Sequence, residues 1–209
     1  MRLIQTASLK FAEFFDSNIP LYAILSHRWT DKEVSFQDFE GAKEEFAKIQ
    51  SSPRRTQDQM TYNFSKINDS CELAKRRGLQ WIWIDTCCID KKSSAELSEA
   101  INSMYRWYAK AAECYVYLLD VTPGEQTSEE DFRTMFLRSS WFTRGWTLQE
   151  LLAPSEVRFY DYEWRFINDK DSLREEISIA TGIDPEDLLK GRVSSRPIIP
   201  TNSTTVLND

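Results

Sequence analysis

Apolar positions along this chain fall into two kinds of run that take turns. The first kind is short and nearly continuous: LYAILSHRW (21–29), WIWID (81–85), CYVYLLDV (114–121) and VRFYDYEW (157–164). Such runs, ending in polar residues, suit strands buried on both faces. The second kind recurs at three- and four-residue steps, the period of one helix face. Phe36, Phe39, Phe46 and Ile49 follow it, as do Phe64, Ile67, Cys71 and Ala74, whose segment closes on Lys75, Arg76, Arg77 and Gly78, a helix stop. A third stripe reads Leu97, Ile101, Met104 or Tyr105, Tyr108 and Ala112, with Ser93 and Glu96 ahead of it in capping-box spacing. Further helices are expected near 131–138, over DSLREEISIATG, and over DPEDLLKG with Asp184 as N-cap and Pro185 at the first helical position. SSPRRTQDQM (51–60) reads as a surface loop, and 191–209, without periodicity, as a linker or disordered tail after a domain spanning 1–190.

Strands alternating with helices predict an α/β fold, a mostly parallel sheet of four to five strands flanked by helices. Ligands of such sheets sit beyond the carboxyl ends of the strands. Those ends carry SHRW, DTCCID and LLDV here, and SSWFTRGWTLQELLAP (139–154) comes just after the third. Within that segment Trp146 and Glu150 are four apart and so share a helix face. Two readings follow: an exposed glutamate with its stem on a core tryptophan, or a carboxylate held in a pocket for chemistry.

Charge narrows the choice. A net charge of −7 argues against binding nucleic acid by neutralising phosphates. No run of 18 apolar residues exists, so no membrane span is expected, and the start lacks the apolar region of a secretory signal. Four cysteines, Cys71, Cys87, Cys88 and Cys114, have neither zinc spacing nor a secreted disulfide pattern, which points to the cytoplasm. His27 is the single histidine, so no metal site and no cofactor is expected. GxGxxG, GxxxxGK[ST] and GxSxG are all missing. Cys87 or Cys88 with His27 offers a nucleophile and base, without an evident oxyanion hole. Arg28 and Arg144 are candidates for gripping phosphate, and Arg28 beside His27 would lower the pKa of the imidazole. Asp85, Asp90 and Glu99 suit loop-organising hydrogen bonds.

YAILSHRW, the stretch from WIWIDTCCIDKK to CYVYLLDV, and SSWFTRGWTLQELLAPSEVRFY together closely resemble the heterokaryon incompatibility (HET) domain of filamentous fungi, over about residues 20–165. Lys91 departs from the pattern, which leads one to expect glutamine there. The resemblance implies a role in non-self recognition and programmed cell death, a form of innate immunity. It also implies a place in larger receptors with nucleotide-binding and repeat modules, and self-association on activation. HET domains are in turn similar to Toll/interleukin-1 receptor (TIR) domains, which implies a flavodoxin-like architecture. ILSHR resembles their first-strand signature, IDTCCID their second strand and following loop, and WTLQE the tryptophan four residues before the catalytic glutamate of NAD⁺-cleaving members. Carried over by residue, Glu150 becomes the catalytic carboxylate. Ser26, His27, Arg28, Trp29, Asp85, Cys88, Asp90, Arg144 and Trp146 become candidates for contacting NAD⁺ as substrate. The alternative is a non-catalytic adaptor in which Trp146 and Glu150 stabilise a helix end and an assembly surface.

Overall fold

The computed structural model describes residues 1–15, 18–42 and 59–189. Of the loop expected at 51–60, residues 51–58 lie outside them and 59–60 belong instead to a helix, while the positions Phe46 and Ile49 and the expected tail 191–209 lie outside them as well.

Seven strands form one sheet: β1 (Arg2–Gln5), β2 (Lys10–Glu13), β3 (Ala23–His27), β4 (Trp81–Ile84), β5 (Glu113–Tyr117), β6 (Val157–Tyr160) and β7 (Phe166–Asp169), in the order β2-β1-β4-β3-β5-β6-β7. The four apolar runs supply the central strands β4-β3-β5-β6, which pair in parallel. Their order relative to the chain is 2-1-3-4, the flavodoxin-like winding with its switch point between β3 and β5. The α/β class therefore stands as expected. Three antiparallel strands extend the sheet, β2 and β1 on one side and β7 on the other. Each has only four residues, too few for a period-two pattern to stand out from chance.

Helices cover the sheet: α1 (Phe36–Gly41), α2 (Gln59–Arg76), α3 (Ser94–Lys110), α4 (Glu129–Leu137), α5 (Thr147–Leu152), α6 (Arg174–Thr181) and α7 (Pro185–Leu189), with a 3₁₀ turn at Ser140–Thr143. Going from β3 to β4 the chain moves one way across the sheet, and from β4 to β5 it moves back over β3. Right-handed crossovers therefore put α2 on one face and α3 on the other, where α3 meets α5. Phe64, Ile67, Cys71 and Ala74 of α2 are all buried, as their spacing required. Asp184 accepts a hydrogen bond from Glu186 N at 2.8 Å, which is the expected cap of α7.

The α3 stripe needs correction. Ile101 and Tyr105 are exposed, and the buried residues are Ala100, Ser103, Trp107 and Tyr108. Steps of four residues advance about 40° past a full turn, so the series 97, 101, 105 walks off the core face. Alternating steps of three and four stay on it. The capping box at Ser93 is half made: Ser93 Oγ accepts from Glu96 N, but the Glu96 carboxylate takes the Arg2 guanidinium and Asp90 N instead. The Arg2 cation takes both oxygens of that carboxylate, a charge-assisted contact stronger than one to the neutral cap N–H.

Candidate functional site

Side chains alternate across a strand, so Ser26 and His27 at the end of β3 point to opposite faces. They seed two separate polar clusters at the carboxyl edge of the sheet.

Ser26 faces α3 and α5. Its hydroxyl donates to Glu150 Oε2 at 2.5 Å and accepts from Trp141 Nε1 at 2.8 Å. Arg144 grips the same carboxylate with both arms, at 2.7 Å to Oε2 and 3.0 Å to Oε1. Burial works against the Arg144 charge, but Glu150 outweighs it and raises the pKa of the guanidinium. Glu150 is 2% exposed, so it is neither a solvated charge nor an open one. Local geometry explains the arrangement. Asp120, just after β5, accepts from Ser139 Oγ and from Ser140 N, both at 2.7 Å, which pins the start of the 3₁₀ turn. Arg28 bonds the carbonyl of Ser140 at 2.9 Å from across the switch point. Thr147 Oγ1 donates to the Trp141 carbonyl at 2.6 Å, tying α5 to that turn.

His27 faces α2. It is fully buried, with Nε2 3.7 Å from Glu33 and Nδ1 4.0 Å from Asp85. Lys66 of α2 donates to both Glu33 oxygens at 2.7 and 2.8 Å. Neither imidazole nitrogen has a hydrogen-bond partner among the described residues, and Asp85 Oδ1 is in the same position. Asp85 Oδ2 does accept from Trp29 Nε1 at 2.8 Å, and the Lys91 ammonium sits 3.6 Å over the Trp29 ring. Burial, and then the Lys66 charge, push the His27 pKa down. Arg28, expected to do this, points away to Ser140 and Thr143. Glu33 is held below the usual carboxylate range: burial opposes this, but the Lys66 ammonium on both its oxygens outweighs it.

A pH dependence follows. His27 stays neutral in the fold but takes up a proton in the unfolded chain below about pH 6.5. The unfolded state then binds more protons, so stability is full above that pH and falls as pH drops, by at most about 1.4 kcal/mol per unit. Because this is the single histidine, His27→Gln should flatten the slope of unfolding free energy between pH 7 and 5. An unchanged slope in chemical denaturation would count against the buried neutral imidazole.

The other expected site residues scatter. Trp146 does lie one turn before Glu150, whose N–H donates to its carbonyl at 3.2 Å. Trp146 is, however, 47% exposed, and the tryptophan joined to the carboxylate, through Ser26, is Trp141. Cys88 turns inward, its sulfur accepting from Ile84 N at 3.3 Å, and it lines a different cavity with Arg2 and Glu96. Asp90 ties its loop to α1, accepting from Gln37 Nε2 at 2.7 Å, and braces the loop itself by accepting from Lys92 N at 3.0 Å. Cys87 is wholly buried and its thiol is pushed well up by that burial, the opposite of an activated thiolate. The clusters add Trp141, Glu33 and Lys66, which sequence reasoning passed over. Lys66 carried a signal: Asn63, Lys66 and Ser70 repeat at steps of three and four, and all three are buried.

Comparison with known proteins agrees with this architecture's sequence blocks. The family profile described as Heterokaryon incompatibility protein (HET) matches residues 22–129. A curated relative, the vegetative incompatibility protein HET-E-1 of Podospora anserina, is 45% identical over 177 residues, covering 83% of this chain and 12% of its own length. The chain thus spans about an eighth of that relative. No solved structure matches. Among the described residues, no helix is long and apolar enough to cross a membrane. The matched profile takes in β3, β4, α3 and β5, the elements that hold Ser26, His27 and Asp85, and the chain belongs to the heterokaryon incompatibility (HET) family.

Proposed function

We propose that this domain triggers cell death in vegetative incompatibility, and that it does so by cleaving NAD⁺ at the nicotinamide–ribose bond once copies associate. The observation that carries the reading is Glu150: a carboxylate at the carboxyl edge of β3 and β5, 2% exposed and fixed by Ser26 and Arg144. Breaking the glycosidic bond releases neutral nicotinamide, which needs no proton, and leaves an oxocarbenium-like ribose. A fixed carboxylate beside the ribose stabilises that positive charge more strongly where water is excluded. Water adds to the ribose carbon and gives up its proton, leaving ADP-ribose. In the resting arrangement Arg144 occupies both oxygens of Glu150. Substrate must therefore displace the guanidinium, which is then placed to meet the pyrophosphate. Association of copies is the step that moves Arg144. Trp29, half-exposed and anchored by Asp85, offers a ring face to the substrate from the other side of β3. Receptor modules with nucleotide-binding and repeat domains, joined to this domain in a longer cytoplasmic protein, would supply the trigger.

A second reading has its own support. The Ser26–Glu150–Arg144 cluster is fully satisfied as it stands, and α5 turns Leu148, 52% exposed, outward next to the half-exposed Trp146. A non-catalytic adaptor would use that surface for contacts alone. NAD⁺ loss by purified domain, dilute and artificially clustered, separates the two. Clustering is expected to switch on turnover, and Glu150→Gln to lower it by about 10²–10³-fold. Equal inactivity of clustered wild type and variant sinks the enzyme and leaves the adaptor.

A further inference from the structure

Ile101 and Tyr105, the two residues of α3 that fall outside the core stripe, lie one turn apart at 48% and 58% exposure. They do not stand alone. Trp146 at the start of α5 and Leu148 within it are also exposed, and α5 packs against α3. It does so on the Ile101 flank. Tyr108 lies two turns beyond Ile101 on that side of α3, and burial, then the Glu150 charge of α5, push its phenol well up. Four large apolar side chains from two neighbouring helices therefore share one outer surface. Exposed apolar residues gathered in this way mark protein contact sites.

The rest of that helix face shows what covers it. Ser98, Asn102 and Ala109 are exposed along its middle, with Ile101 and Tyr105 on one flank and Glu99, Arg106 and Lys110 on the other. The acid lies in the first half of α3 and both cations lie in the second. None of these three has an ion-pair partner among the described residues, and Arg106 bonds only back to Ser103 of its own helix, at 3.2 Å. Such a face is complementary to itself when reversed. Lay two copies of α3 antiparallel, with a two-fold axis between positions 103 and 104. Ser98 then meets Ala109 of the second copy, small against small, so the helices can approach closely. Asn102 meets Tyr105, and Glu99 lies between Arg106 and Lys110. The axis sets apolar flank beside apolar flank and makes every contact twice. A parallel pairing would instead put the charged flank against the apolar one.

We infer that the outer face of α3, with Trp146 and Leu148 of α5 beside it, is the surface through which two copies of this chain pair, antiparallel about a two-fold axis. The inference rests on the association step of the proposed function and not on NAD⁺ cleavage. A contact of one or two helices is smaller than a standard interface, so pairing in the micromolar to millimolar range is expected. Sedimentation of the full chain over a concentration series tests it with charge reversals at these exposed positions. Glu99→Arg alone, and Arg106→Glu with Lys110→Glu, should each weaken pairing by about tenfold or more, because like charges then face each other twice. Mixed in equal amounts, the two variants should form a one-to-one pair as tight as wild type, since every charged contact between them is attractive. That recovery also shows both variants to be folded. Tyr105→Ala, which alters no charge, should weaken pairing by about tenfold. A wild type that stays monomeric up to about 1 mM would leave the face to another occupant and overturn the inference. Association that the reversals do not change, or that they weaken without recovery on mixing, would also overturn it, while association itself would stand. Pairing as expected with no NAD⁺ loss from clustered domain upholds the surface and sinks only the enzyme.

Discussion

Replacing Glu150 with alanine is expected to lower the stability of the domain by about 3 kcal/mol, whatever happens to its activity. The reason is Arg144, whose side chain is 15% exposed and whose two arms both end on Glu150. Removing one partner of a buried pair strands the other charge, which costs about 3–5 kcal/mol. The lower figure applies because Arg144 keeps some access to water. Ser26 also loses the acceptor of its hydroxyl. At this size the loss corresponds to roughly 6–12 °C in melting temperature. Removing both charges is milder: Arg144→Met with Glu150→Leu should come back to within about 1 kcal/mol of wild type. Thermal and urea unfolding of the two singles and the double would show this as a large coupling energy. Additive losses would mean that the ion pair contributes little. Loss of cell death in Glu150→Ala alone is consequently ambiguous between a missing catalyst and a weakened fold. Glu150→Gln keeps the shape and an acceptor for Ser26 but still leaves Arg144 without its countercharge, so its activity is read beside its own melting curve, with the double variant as a fold control.

The sheet's centre could be read from the chain because its four strands are buried on both faces and so are apolar almost without interruption. The outer strands could not: β2 and β7 lie at the edges, where one face and one rim meet water, and their residues are mixed. The edge on which the candidate residues gather also followed from topology alone. Which residues share a cluster did not. Ser26 and His27 are neighbours in sequence, yet strand alternation sends one to Glu150 and the other to Lys66. Grouping them, with Trp29 and Asp85, into one substrate surface needs the switch point itself to join the two faces. Glu113 makes the same point from the core. It opens β5 at 3% exposure, accepting from Arg77 and from Tyr115 at 2.9 Å, with Arg158 3.3 Å away. A lone glutamate before an apolar run reads as the strand's solvent boundary, and no local signal announces partners 36 and 45 residues away.

The tryptophans of SSWFTRGW should separate by the largest margin of all. Trp141→Ala is expected to cost about 3–5 kcal/mol, the range for emptying a buried aromatic site. Trp141 is 1% exposed and packs edge-on against Phe142 and Phe159, with centroids at 5.1 and 5.8 Å. Its Nε1 donates to Ser26, so the substitution leaves that hydroxyl without a donor and loosens the seat of Glu150 as well. Trp141→Phe should keep most of the packing, lose the hydrogen bond and cost about 1–2 kcal/mol. Trp146→Ala, at 47% exposure and with no side-chain capping bond, should cost less than about 1 kcal/mol. Sequence spacing marks Trp146 as the partner of Glu150, while geometry gives that place to Trp141, nine residues before the carboxylate and one 3₁₀ turn away. If Trp146 acts, it acts on something outside the fold. Under the NAD⁺ reading Trp146→Ala lowers turnover by clustered domain while its melting curve stays that of wild type. Under the adaptor reading it lowers association. A variant as active, as associated and as stable as wild type would remove Trp146 from both.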